Sequence, residues 1–99
     1  TEERMSDTIL TQPPQARADF EHVSDAMVYD IARHTASVLS SILLTRKNDA
    51  ADDTERDHWA ARRRLVKKQV RALDADDRAG LIAQDEVWRL EKLALTGTE

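Results

Sequence analysis

Asp30, Arg33, His34, Ser37 and Ser41 recur at spacings of three and four residues, so a helix sets a carboxylate, a guanidinium, an imidazole and two hydroxyls on one side. Groups of these types carry general acid–base chemistry or ligate a metal. Asp30 and His34, one turn apart, are near enough to share a proton or an ion. The remainder of a catalytic apparatus is missing. No second His or Cys stands at ligand spacing, His-Glu-x-x-His does not occur, and no glycine-rich turn is present to form an oxyanion hole or hold phosphates. His22 and His58 have no stronger claim. The cluster therefore reads as an exposed helix surface suited to contact, with no catalytic, cofactor or metal site, and the chain is expected not to be an enzyme.

A second concentration of charge lies in WAARRRLVKKQVRAL, residues 59–73, which holds six basic side chains and no acidic one in a chain of net charge −4. At 100° per residue Trp59, Leu65, Val66, Val70 and Leu73 fall on one side, with Arg63, Arg64, Lys67, Lys68 and Arg71 on the other. Three readings follow. The stripe is a solvated face balanced by acidic neighbouring helices, a contact for an acidic protein partner, or a nucleic-acid surface. The last is weakened by the acidic whole, the lack of interleaved aromatic residues and the lack of a helix-turn-helix or zinc-finger pattern. A membrane-surface helix would require a longer stretch with more Trp, Phe and Leu.

Within the same stretch Trp59, Val66 and Leu73 recur every seven residues, while the intervening seam positions are Arg62 and Gln69. Arg62 is expected to reach the edge or to pair with an acid of the first helix. The alternative is a seam left polar for a partner.

The elements that position these groups are helices. Phe20, Met27, Val28, Ile31, Val38, Leu39, Ile42 and Leu43 carry a helical period without Gly or Pro, which predicts one long helix from Asp19 to about Lys47. Asn48 to Asp53 is the expected break, with Asp52, Asp53 or Thr54 capping a second helix from about Thr54 to Leu73. The corner Leu73-Asp74-Ala75-Asp76-Asp77 is short, so the second and third helices should be antiparallel neighbours, the third running from about 75 to 95 with Asp74 or Asp76 as its cap and Gly97 as its end.

In that third helix the main apolar face is expected at Ile82, Ala83, Val87, Leu90, Leu93 and Ala94. Leu81, Trp88 and Leu95 form a second row nearly opposite. A helix apolar on two sides is either central in its bundle or presents one side to another chain, so this row is a candidate partner or homodimer contact. Residues 1–17, with Gln12-Pro13-Pro14-Gln15, show no helical period and are expected to form a flexible N-terminal arm. The predicted architecture is all-α: that arm followed by an antiparallel three-helix bundle over residues 18–96.

Ninety-nine residues suit one small domain with a thin stability margin. Cysteine is absent, which excludes disulfides and thiolate zinc sites and suits a reducing compartment. No long apolar run and no basic-then-apolar leader is seen, so a cytoplasmic location is expected. The Ala, Arg and Asp content suggests a GC-rich bacterial genome.

The hairpin HWAARRRLVKKQVRALDADDRAGLIAQDEVWRLEKL, with its W…ALD-x-DDR…LI…W pattern, resembles the small helical antitoxins that accompany zeta-type kinase toxins. The resemblance covers residues 20 to 95. It implies a three-helix bundle that binds the toxin kinase and occludes its nucleotide site, chiefly through the N-terminal helix. Asp30, Arg33, His34 and Ser37 would then face the toxin's positively charged phosphate-binding region, and a P-loop reading frame would be the genomic neighbour. The resemblance carries over a role and no individual contact.

Overall fold

A computed structural model describes residues 20–97, which form three helices: α1, Asp25–Asn48; α2, Asp53–Arg71; and α3, Arg78–Thr96. The arm expected at 1–17 lies outside the described residues, and no strand occurs among those described. The all-α, three-helix expectation holds. No described helix is long and apolar enough to cross a membrane.

Each helix start is set by a side chain that accepts from an orphan backbone N–H. α1 begins six residues later than the periodicity predicts, because Ser24 adopts extended backbone and its Oγ accepts from the Met27 N–H at 3.1 Å. Phe20 then lies before the helix, buried against Val28 and Leu81. Removing the cap by Ser24→Ala is expected to cost about 1 kcal/mol, read as a lower urea midpoint, while Ser24→Asp retains the acceptor and most of the stability. Equal midpoints for all three proteins would contradict the assignment.

Asp52 caps α2 by accepting from the Glu55 N–H at 2.8 Å, and Glu55 reaches back to the Ala51 N–H at 3.3 Å. Acids at 53 and 55 and bases at 68 and 71 match the helix dipole at both ends. The cap of α3 is Asp77 rather than Asp74 or Asp76. Asp74 is occupied in the turn, where its Oδ1 accepts from the Asp76 N–H at 2.9 Å, leaving Asp77 to accept from the Gly80 N–H at 3.0 Å. The Asp77 carboxylate lies where a Cβ at position 80 would stand, so a larger residue there would make the capping side chain shift. Gly97 ends α3 in the left-handed region at φ 76°, its N–H bonded to the Leu93 carbonyl at 2.7 Å.

The helices run up, down and up. Arg78 at the start of α3 pairs with Asp25 at the start of α1 (2.8 Å) and donates to the Phe20 carbonyl, while Arg46 near the end of α1 donates to the Leu95 carbonyl at 2.6 Å. α2 runs the other way, with Arg62 beside Glu91 and Gln69 beside Trp88. The close backbone approaches are α1 with α2 and α1 with α3. α2 and α3 are antiparallel, as the short corner requires, but they meet mainly through side chains.

α1 is therefore the central element. Val28, Ala32, Thr35, Ala36, Leu39 and Leu43 are its buried stripe, and the small side chains at 32 and 36 let both neighbours come close. One core cluster joins Ala32, Ala36, Leu39 and Leu43 to Val66 and Trp88; the other joins Phe20, Val28 and Leu81. Burying each of the larger side chains contributes about 1.5–3 kcal/mol.

The faces of α3 are the reverse of the expectation. Leu81 and Trp88 are each 1% exposed and Leu95 packs against the core, whereas Val87 and Leu90 are 55% and 54% exposed. The candidate partner row Leu81, Trp88, Leu95 is thus the core-facing row. Asp85, a carboxylate, shares this core-facing side with Leu81 and Trp88, so the buried side of α3 is the one with fewer apolar residues, which the helical wheel alone ranks second.

Candidate functional site

α1 and α2 enclose an open groove of about 440 Å³. Arg33 on the α1 wall and Arg63, Lys67 and Arg71 on the α2 wall supply its charge, Ser37 and Ser41 its hydroxyls, and Ser40, Ala36, Val66 and Val70 lie beneath. A smaller recess shares Arg63 and Lys67 and adds Lys47, Ala60 and Arg64, so the cationic trough continues toward the end of α1. Among the described residues no Asp or Glu lines either part.

The antiparallel pairing of α1 with α2 explains how the groove forms. Leu43, Ala36 and Val66 fill the contact line. The residues flanking it on one side are serines from α1 and long basic side chains from α2, so the seam opens into a polar trough rather than closing over apolar groups. Arg63 is fixed across it, its Nε donating to the Ser40 carbonyl at 3.3 Å. The Ser40 Oγ is itself buried and has no hydrogen-bond partner.

Acidic neighbours do not neutralise this stripe. Ion pairs among the described residues include Arg56–Asp53, Arg62–Glu91, Arg78–Asp25 and Arg89–Glu86. Arg63, Arg64, Lys67, Lys68 and Arg71 take part in none of them. Arg64, Lys67, Lys68 and Arg71 are exposed, as a solvated face requires, and the balance expected from the adjoining helices does not take the form of direct ion pairs among the described residues.

The polar seam of α2 has an internal explanation. Arg62 pairs with Glu91 of α3, not with an acid of the first helix, through its Nε at 3.1 Å and its Nη2. Gln69 Oε1 accepts from the Trp88 indole N–H at 3.2 Å. Both polar positions are satisfied by α3, so neither is left for a partner.

Of the α1 candidates, Arg33 and Ser37 line the groove, and Asp30 and His34 are exposed outside it. Arg33 also lies over the Tyr29 ring, 5.7 Å from its centroid. Asp30 and His34 make no hydrogen bond to one another, and among the described residues no group of three His, Cys, Asp or Glu side chains is placed to hold a metal ion. Acid, imidazole and hydroxyl are thus spread over a solvated surface instead of converging on a cavity.

Sequence reasoning missed Ser40 and Lys47 as lining residues. The signal was present in Ser37, Ser40 and Ser41 at i, i+3 and i+4, but their meaning depends on which helix lies beside them.

A second group of interest is Asp85, 1% exposed between α1 and α3. Burial raises the pKa of its carboxyl, opposed by the Thr35 hydroxyl and by the charges of Arg89 and Lys92, while Glu86 adds to the rise. The Thr35 hydroxyl donates to the Ile31 carbonyl at 3.1 Å, which limits what it offers the carboxylate, and Asp85 Oδ1 has no hydrogen-bond partner. It is enclosed by packed side chains and reads as a strained core position.

Comparison with protein-family models, with curated proteins and with solved structures finds no match to this chain.

Proposed function

We propose that this protein is a non-enzymatic binding module of the antitoxin type, which neutralises a partner enzyme, a P-loop kinase of the zeta class, by covering its nucleotide or substrate site. The observation that supports the reading is the cationic groove between α1 and α2, lined by no carboxylate among the described residues, beside the exposed polar side of α1. An array of like charges left uncompensated on an acidic protein lowers the stability of the isolated chain and steers association with a surface of opposite sign.

The charge modifies what the resemblance implies. Arg33, Arg63, Lys67 and Arg71 repel a positively charged phosphate-binding region, so the surface covered is an acidic rim of the partner's site. The contact residues are Arg33 and Ser37 within the groove, with Asp30 and His34 at its outer margin. Leu81, Trp88 and Leu95 drop out of the contact set because the fold uses them internally, and the homodimer built on them drops out with them.

The test is to look for a P-loop reading frame adjacent to the gene, the absence of which would count against the reading, and to co-express the two. Relief of its toxicity and co-purification of the two proteins are the expected results. Unrelieved toxicity with no complex would refute the reading. A nucleic-acid regulator is the second reading, favoured by the same unpaired stripe. It requires binding to duplex DNA that falls steeply as salt rises, and absence of binding at low salt removes it.

A further inference from the structure

The α1/α2 trough has a shape and chemistry that narrow what can occupy it. From Arg33 to Lys47 the α1 wall runs about 21 Å at 1.5 Å per residue. Cations stand along that whole length, which exceeds the reach of a small phosphorylated metabolite and matches about six residues of extended peptide. Val70, part-exposed on the floor, and the aliphatic stems of the lining Arg and Lys side chains offer apolar contact beside the charges, a feature a bare polyanion does not use. No aromatic side chain lines the trough, so nucleobases have nothing to stack on.

Arg63 adds preorganisation. With its Nε held by the Ser40 carbonyl, the guanidinium is already ordered, so less side-chain entropy is lost on binding a carboxylate. The serine hydroxyls of the α1 wall suit the peptide carbonyls and N–H groups that run beside those carboxylates.

We infer that the α1/α2 trough binds an extended acidic segment of the partner protein, its carboxylates on Arg33, Arg63, Lys67 and Arg71 and its apolar side chains against Val70 and the aliphatic stems of those basic residues. The inference rests on the binding-module reading and specifies the chemistry of the partner at that site.

The experiment is fluorescence anisotropy of the full chain with a labelled peptide that alternates glutamate and leucine. Binding is expected at low salt, weakened about ten-fold between about 50 and 300 mM salt. Lys67→Glu with Arg71→Glu should weaken it by about a hundred-fold, whereas Lys68→Glu, on the same helix but outside the trough, should change it less than about three-fold. Serine in place of leucine in the peptide should weaken binding by about ten-fold through loss of the floor contact. Circular dichroism of each variant confirms its fold.

Equal effects of the trough and Lys68 substitutions, or no effect of the leucine replacement, would overturn the inference, since binding would then be diffuse attraction. Tighter binding of a DNA duplex that is lost in the same trough variants would overturn it in favour of nucleic acid. If the peptide fails to bind while the chain still relieves its neighbour's toxicity, the trough assignment falls and the binding-module reading stands. Peptide binding without that relief separates the two in the other direction.

Discussion

Trp88→Ala is expected to lower stability by about 3–5 kcal/mol, a large part of the margin of so small a domain. Trp88 is fully buried where all three helices meet, beside Leu39 and Leu43 of α1 and Val66 of α2. Truncation leaves a void lined by those side chains and strands the Gln69 carboxamide, whose Oε1 accepts the indole N–H. Two costs therefore add, a cavity and an unpaired polar group. Trp88→Phe restores most of the volume but not the donor and should recover about half of the loss. Urea unfolding followed by circular dichroism measures both. A loss below about 1 kcal/mol for the alanine variant would show that Trp88 is peripheral, as expected for a residue facing a partner.

The second large effect concerns Asp85. Its carboxyl has a higher pKa in the folded domain than the unperturbed value near 3.8, chiefly because burial disfavours the charge. The folded state therefore holds the proton more tightly than the unfolded state. The penalty for the buried charge is fully present above the folded-state pKa and is relieved as pH falls through that value towards 3.8.

Asp85→Asn removes the titrating group, and near pH 7 it should stabilise the domain by about 1–3 kcal/mol. The advantage over wild type should shrink as the solution is acidified. Comparing the two proteins across pH cancels contributions common to both. A difference independent of pH, or a variant less stable than wild type at neutral pH, would mean that the carboxylate is well compensated where it lies.

Much of the fold is legible in the residues themselves. Uninterrupted three- and four-residue periodicity, two glycines in the chain and aspartates at the breaks require three helices with short corners. The end at Gly97 and the start of α2 follow from capping chemistry that involves only near neighbours. The start of α1 and the cap of α3 are less legible because several residues of the right type compete. Ser24, Asp74, Asp76 and Asp77 all can accept from a backbone N–H, and the outcome depends on which is occupied by a turn.

The site divides the same way. The basic stripe at 63–71 and its lack of aromatic residues are properties of the chain, as is the polar cluster from Asp30 to Ser41. Whether those cations find acids depends on distances between helices that lie far apart in sequence. The fold gives Glu91 to Arg62 and none to Arg63, Lys67 or Arg71.

The sequence by itself determined the helices of the described residues, their approximate bounds and the basic character of α2, since these depend on periodicity, local hydrogen bonding and composition. Tertiary structure alone decided that Leu81, Trp88 and Leu95 face inward around a buried Asp85, and that serines of α1 meet cations of α2 across one groove. The reason is physical: a helix wheel shows which residues share a side, but the energy of packing one helix against another selects which side is covered.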